Sequence, residues 1–197
     1  MSGVLIVDDH PLFRMGLTMA LGAEGFSVIS EAGDGRQAVE AAANDAVELV
    51  LLDIRMPGMD GIEACKEITS KPGAPVVVML TTHDEPGVIV AAKQAGATAF
   101  LSKETAPKEL AKILRRIVDE PERDWMPHVS LPSLTPREEQ TLALLSMGHS
   151  NKAIAKEMGL SPDTVKDHLE RVFAKLEVRD RLTAVKRAME LGLITNR

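Results

Sequence analysis

VELVLLDIRMPGMDG, residues 47–61, runs from an almost wholly apolar stretch into an acid and then a turn rich in proline and glycine. Leu49–Leu52 shows no polar alternation, so a strand at Val47–Leu52 must be covered on both faces, as in a parallel sheet flanked by helices. Asp53 then stands at the carboxyl end of that strand. Pro57, Gly58 and Gly61 interrupt the extended run, and a helical pattern follows near 60–69.

Outward from this stretch the same alternation repeats. Val4–Val7, Phe26–Ser30, Pro75–Leu80 and Thr98–Ser102 read as strands, and segments near 11–21, 35–43, 86–95 and 106–118 read as helices. Strands alternating with helices of this length predict βαβ units. The expected fold of residues 1–120 is an α/β doubly wound five-stranded parallel sheet, flavodoxin-like in type.

Ligands of such sheets bind outside the carboxyl ends of the strands. Here those ends carry Asp8 and Asp9, Asp53, Thr81 and Thr82, and Ser102 and Lys103. Each alone has an ordinary explanation: an Asp caps a helix, a Thr fills a turn, a Lys is solvated. Together they suit phosphoryl transfer. Three carboxylates at one edge repel unless a cation joins them. Oxygen-only ligation favours Mg²⁺, which also holds phosphate oxygens. One carboxylate then serves as nucleophile, while an ammonium and a hydroxyl bind the remaining oxygens.

Between Pro121 and Ser133 the periodicity stops. Pro121, Pro127 and Pro132 cannot continue a helix or a central strand, so 121–133 reads as a linker, with Trp125 either docked on a domain or half-exposed. From Leu134 the chain is helical. Thr135-Pro136-Arg137-Glu138 has an N-cap, a proline at the first helical position and a capping-box Glu. Gly148, Gly159 and Gly192 punctuate helix ends. Helices are expected near 136–147, 151–158, 162–176 and 180–191, giving an all-α four-helix domain over 134–197.

Composition separates the two parts. Residues 1–120 hold 11 Lys and Arg against 18 Asp and Glu, a balance of −7, whereas 121–197 hold 12 against 11, a balance of +1. Such asymmetry suggests modules with different partners. No apolar run approaches the roughly 18 residues of a membrane span, and no secretory signal is expected. A single cysteine, Cys65, excludes an intramolecular disulfide and suits a reducing, cytoplasmic setting. It reads as a buried structural thiol. His83, His128, His149 and His168 lack metal-ligand spacing, and His10 is assigned no chemistry.

VDDHPLFRMGL, LLDIRMPGMDG, MLTT and AFLSK together resemble the receiver domain of two-component response regulators, over residues 4–118. The resemblance implies Asp53 as phospho-acceptor and Mg²⁺ held by Asp8, Asp9, Asp53 and the Arg55 carbonyl. It also implies that Thr81 and Lys103 contact the phosphoryl group and that Phe100 is the aromatic switch. Residues 134–194 resemble the helix-turn-helix domain of the NarL/FixJ/LuxR family. In that family the helix at 162–176 enters the major groove. Lys152, Thr164, Lys166, Asp167, Glu170, Arg171 and Lys175 are the expected DNA contacts. The outward face of that helix is unusually acidic, particularly at Asp167 and Glu170. The implied protein is a non-enzymatic, cytoplasmic regulator, phosphorylated by a sensor histidine kinase, that binds promoter DNA as a homodimer.

Two other classes compete. In one, an interaction protein, the acidic helix no longer reads DNA. In the other, an enzyme turns over an aspartyl phosphate on external substrates. The second usually needs an Asp-x-Asp pair and a cap segment, whereas here the acids are adjacent at Asp8-Asp9 and no large cap segment is evident.

Overall fold

The computed structural model describes residues 3–82 and 85–194, which form two compact units, 3–82 with 91–128 and 85–90 with 129–194. His83 lies outside the described residues. In the first unit β1 (Gly3–Val7), β2 (Ser27–Ala32), β3 (Leu49–Leu52), β4 (Val76–Thr81) and β5 (Ala99–Ser102) form one parallel sheet in the order β2-β1-β3-β4-β5. The helices between and after them along the chain are α1 (Pro11–Ala23), α2 (Gly35–Ala41), α3 (Gly61–Thr69), α4 (Pro86–Gln94), of which 86–90 group with the second unit, and α5 (Pro107–Asp119).

The period of two along each strand sorts the core into two layers. Val4, Ile6, Leu49, Leu51, Val78 and Leu80 pack with Leu17 and Leu21 of α1 and with Leu110, Leu114 and Ile117 of α5. Leu5, Val50, Leu52, Val77 and Met79, equally buried, take the opposite side. The chain order reverses at β1 and β3, which leaves a crevice outside their carboxyl ends. Register completes the placement: Val7 pairs with Leu52 and Thr81 with Ser102, so Asp8 lies beside Asp53 and Lys103 beside Thr81.

Strand limits differ from the sequence reading by one or two residues, for local reasons. Phe26 leaves the ladder to enter the core, with the Arg115 guanidinium over its ring. Val47 closes a turn by donating its N–H to the Asn44 carbonyl. Beyond α5, Trp125 combines the two alternatives left open for it, docked on the first unit and yet half-exposed. Its indole N–H donates to the Glu120 carbonyl at 2.9 Å, its backbone bridges Ala99, and Arg116 and Arg123 stack on its ring. Lys93 pairs with Asp124 at 2.9 Å beside it.

The second unit contains α6 (Pro136–Ser146), α7 (Asn151–Met158), α8 (Pro162–Leu176) and α9 (Arg181–Glu190) around one core. Thr135 and Glu138 form the full capping box of α6. Ser150, Ser161 and Asp180 cap the next three helices, each accepting from a backbone N–H three residues on. Gly159 stops α7 in the left-handed conformation, φ +65°, which glycine adopts without steric cost. Val165, Leu169, Val172 and Leu176 form the buried stripe of α8.

Candidate phosphoryl-transfer site

A cleft of about 550 Å³ opens at the carboxyl edge of the sheet, bounded by Asp8, His10, Phe13, Asp53, Arg55, Thr81 and Lys103. Asp8, Asp53 and Thr81 are 1%, 5% and 3% exposed, so their polar atoms are withdrawn from bulk water. Lys103 Nζ bridges the two acids, 2.6 Å from Asp8 Oδ2 and 2.8 Å from Asp53 Oδ2. The other Asp53 oxygen accepts the Ile54 N–H at 2.8 Å. Gly61 lets α3 start against this turn, since a Cβ there would stand 2.0 Å from the Asp53 carbonyl oxygen.

Burial is the largest influence on Asp53 and raises its pKa; Asp8 adds to this, while Lys103 and the Ile54 N–H oppose it. For Lys103 burial works downward, but hydrogen bonds and attraction from Asp53 and Asp8 outweigh it and hold the ammonium above its ordinary value. Ligand atoms of Asp8, Asp9, His10 and Asp53 all lie within 4.8 Å of one another. Asp8 Oδ2 and Asp9 Oδ1 are buried without an aligned hydrogen bond, although Lys103 Nζ lies 2.6 Å from the first and His10 Nδ1 2.7 Å from the second. Clustered carboxylate oxygens with spare acceptor capacity fit a hard divalent cation such as Mg²⁺.

The Response regulator receiver domain family model matches residues 4–115, more than half of the chain. The chain belongs to the response regulators. The family model for bacterial regulatory proteins of the luxR family matches residues 132–188. Probable transcriptional regulatory protein NarL of Mycobacterium tuberculosis is 37% identical, covering 97% of this chain and 95% of its own. Response regulator UvrY of Escherichia coli K12 is 32% identical, covering 98% and 96%. A structure of the Salmonella typhimurium response regulator RcsB shares the fold at 23% identity and TM-score 0.76, over 94% of this chain and 98% of that one. A response regulator joining a receiver to a luxR-type DNA-binding domain is a transcription regulator, not an enzyme.

The receiver's residues named from sequence thus converge: Asp8, Asp9, Asp53, Thr81 and Lys103 meet at one edge. Arg55 borders the cleft with its side chain exposed, and Phe100 is buried on β5. In the luxR-type domain Lys166, Asp167, Glu170 and Arg171 are exposed on α8 and Lys152 on α7, while Thr164 shares a hydrogen bond with Ser161. Lys166 and Glu170 approach to 3.8 Å. Lys175 is engaged elsewhere: its Nζ is 2.7 Å from Glu138 Oε2, whose side chain is almost wholly buried. That bond and the Thr135 N–H hold the Glu138 carboxyl down at about 2.

Sequence reasoning passed over two groups. His10, adjacent to Asp8-Asp9, places its Nδ1 2.7 Å from Asp9 Oδ1. Arg14 donates to the Asp8 carbonyl. Its signal was a cation in the first turn of a mostly apolar helix. Cys65 is the buried thiol expected, pushed up to about 12 by burial.

Proposed function

We propose that Asp53 accepts a phosphoryl group from a sensor histidine kinase and that this modification controls binding of promoter DNA by a homodimer. The observation that carries the reading is the clustering of Asp8, Asp9 and Asp53, with the Lys103 ammonium bridging Asp8 and Asp53. Asp8, Asp9, Asp53 and the Arg55 carbonyl would hold Mg²⁺. When bound, the cation supplies charge neutralisation for the carboxylates and the incoming phosphate. An Asp53 carboxylate oxygen attacks phosphorus, the P–N bond of the donor phosphohistidine breaks, and the imidazole leaves with the electron pair and takes up a proton. Lys103 and Thr81 bind the transferred oxygens.

The added charge and acceptors give Thr81 and Lys103 new partners and bias the packing of Phe100, altering the face of α4, β5 and α5. In functional terms the receiver is 1–120, the linker 121–133 and the DNA-binding domain 134–197. Trp125 docking, together with Lys93–Asp124, supports a linker that senses this face. Among the described residues no helix is long and apolar enough to cross a membrane. The protein acts in the cytoplasm, where such a kinase's transmitter and DNA meet.

On DNA, α8 enters the major groove with Thr164, Lys166, Asp167, Glu170 and Arg171 toward bases and phosphates, supported by Lys152, while Lys175 stays with Glu138. Incubation with a small acyl phosphate and Mg²⁺ tests the first step: intact mass should rise by one phosphoryl group in the native protein and not in Asp53→Asn. An unmodified native protein overturns it. The acidic outer face of α8 favours a second reading, a phosphorylation-dependent interaction protein. Asp167→Lys with Glu170→Lys discriminates. Altered sequence choice supports the DNA regulator; DNA affinity appearing from none supports the alternative.

A further inference from the structure

The turn Asp8-Asp9-His10 carries two of the three clustered acids, and its geometry decides whether they converge. Carboxylates this close repel, so a turn free to rotate would splay them. Five hydrogen bonds define it, the Phe13 N–H to the His10 carbonyl at 3.1 Å among them. The Asp8 N–H donates to the Ala32 carbonyl at 3.2 Å, and the His10 N–H to Asp8 Oδ1 at 2.8 Å. Arg14 supplies the other two. Its guanidinium Nη1 donates to the Asp8 carbonyl, and its backbone N–H donates to the His10 carbonyl at 3.2 Å.

The guanidinium is itself aimed. Its side chain is only 18% exposed, and Nε lies 3.4 Å from Glu31 Oε2 at the end of β2, an ion-pair approach without an aligned hydrogen bond. Glu31 Oε1 accepts the Thr18 hydroxyl at 2.7 Å, which fixes the carboxylate from α1. Glu31 is more than a third exposed, so its ion pair adds little stability by itself; it orients. A planar guanidinium can serve both the carbonyl and the carboxylate, whereas an ammonium on a flexible stem is less suited to do so.

We propose that Arg14 is a positioning residue of the phosphorylation site, setting the β1–α1 turn through the Asp8 carbonyl so that Asp8 and Asp9 converge on Asp53. The inference rests on reading these acids as the magnesium site. Partners one bond behind a ligand commonly change metal affinity by about 10- to 100-fold.

The test uses the full-length protein, Arg14→Met, Arg14→Lys and Glu31→Gln. The Mg²⁺ midpoint is read from the metal-dependent rise in Tm and again from the rate of phosphoryl uptake from a small acyl phosphate. Arg14→Met should raise the midpoint by about tenfold. Its rate at saturating Mg²⁺ should stay within about twofold of native, which separates metal binding from chemistry. Arg14→Lys should recover part of the shift by restoring one donor. A lower metal-free Tm with an unchanged midpoint would show a purely structural role and overturn the proposal. Should Arg14→Met fail to fold, Arg14→Lys and Glu31→Gln decide, with raised midpoints expected and native midpoints overturning it. A native protein with no Mg²⁺ midpoint would instead remove the magnesium-site reading, and the positioning role with it.

Discussion

Two buried carboxylates, each paired with a lysine, one in each unit, behave in opposite ways. Asp53 and Lys103 meet at 2.8 Å and Glu138 and Lys175 at 2.7 Å. Yet the Asp53 pKa is raised, chiefly by burial, while Glu138 is held down at about 2, chiefly by Lys175. The surroundings account for the difference. Loss of hydration is the largest influence on Asp53, and its lysine is shared with Asp8, so one ammonium faces two acids. Glu138 has Lys175 to itself and also accepts the Thr135 N–H at 2.7 Å. A carboxylate left short of positive charge suits the cation and the phosphoryl group proposed for it. A fully satisfied one fastens α6 to α8.

The sharpest way to break this comparison is to exchange the fates of the two acids. Asp53→Asn should abolish phosphoryl uptake entirely, and Glu138→Gln should leave it intact, by intact mass after acyl-phosphate treatment. Equal loss in both would end the distinction. Next in size, Lys103→Met should slow uptake by about 100-fold, because a charge-assisted donor at the transferring group is lost. Lys175→Met should not change it.

Stability should respond in the reverse sense. Glu138→Ala should cost the helical unit about 2 kcal/mol, since it removes both the capping box and the ion pair. Urea unfolding followed by circular dichroism, which sums the helices of both units, would show this once the receiver's transition is set apart by the fluorescence of Trp125, the sole tryptophan. An unchanged helical transition would refute the fastening role.

The smallest expected effect is its pH dependence. A carboxyl held below its ordinary 4.5 contributes fully above that value, and its contribution is lost as pH falls toward about 2. Native protein should therefore lose helical-unit stability across that window more steeply than Lys175→Met. Parallel pH profiles for the two would contradict the assigned cause.

Much of this was legible in the chain itself. The unbroken apolar run Leu49–Leu52 announced a strand covered on both faces, and Thr135 with Glu138 announced a capped helix. Acids at successive strand ends could be assembled into one site once the sheet was known to be parallel. Lys175 was not legible, because a lysine on the flank of a helix looks the same whether it faces DNA or a buried acid 37 residues earlier. Arg14 was hidden for a like reason: its target is a backbone carbonyl, which has no sequence signature.

By itself the sequence determined the elements, their caps and their order, because periodicity and capping depend on residues within a few positions of one another. Tertiary structure alone decided which charges share a partner. That sharing is set by strand register and helix packing, which bring Lys103 between Asp8 and Asp53 and give Glu138 a lysine of its own.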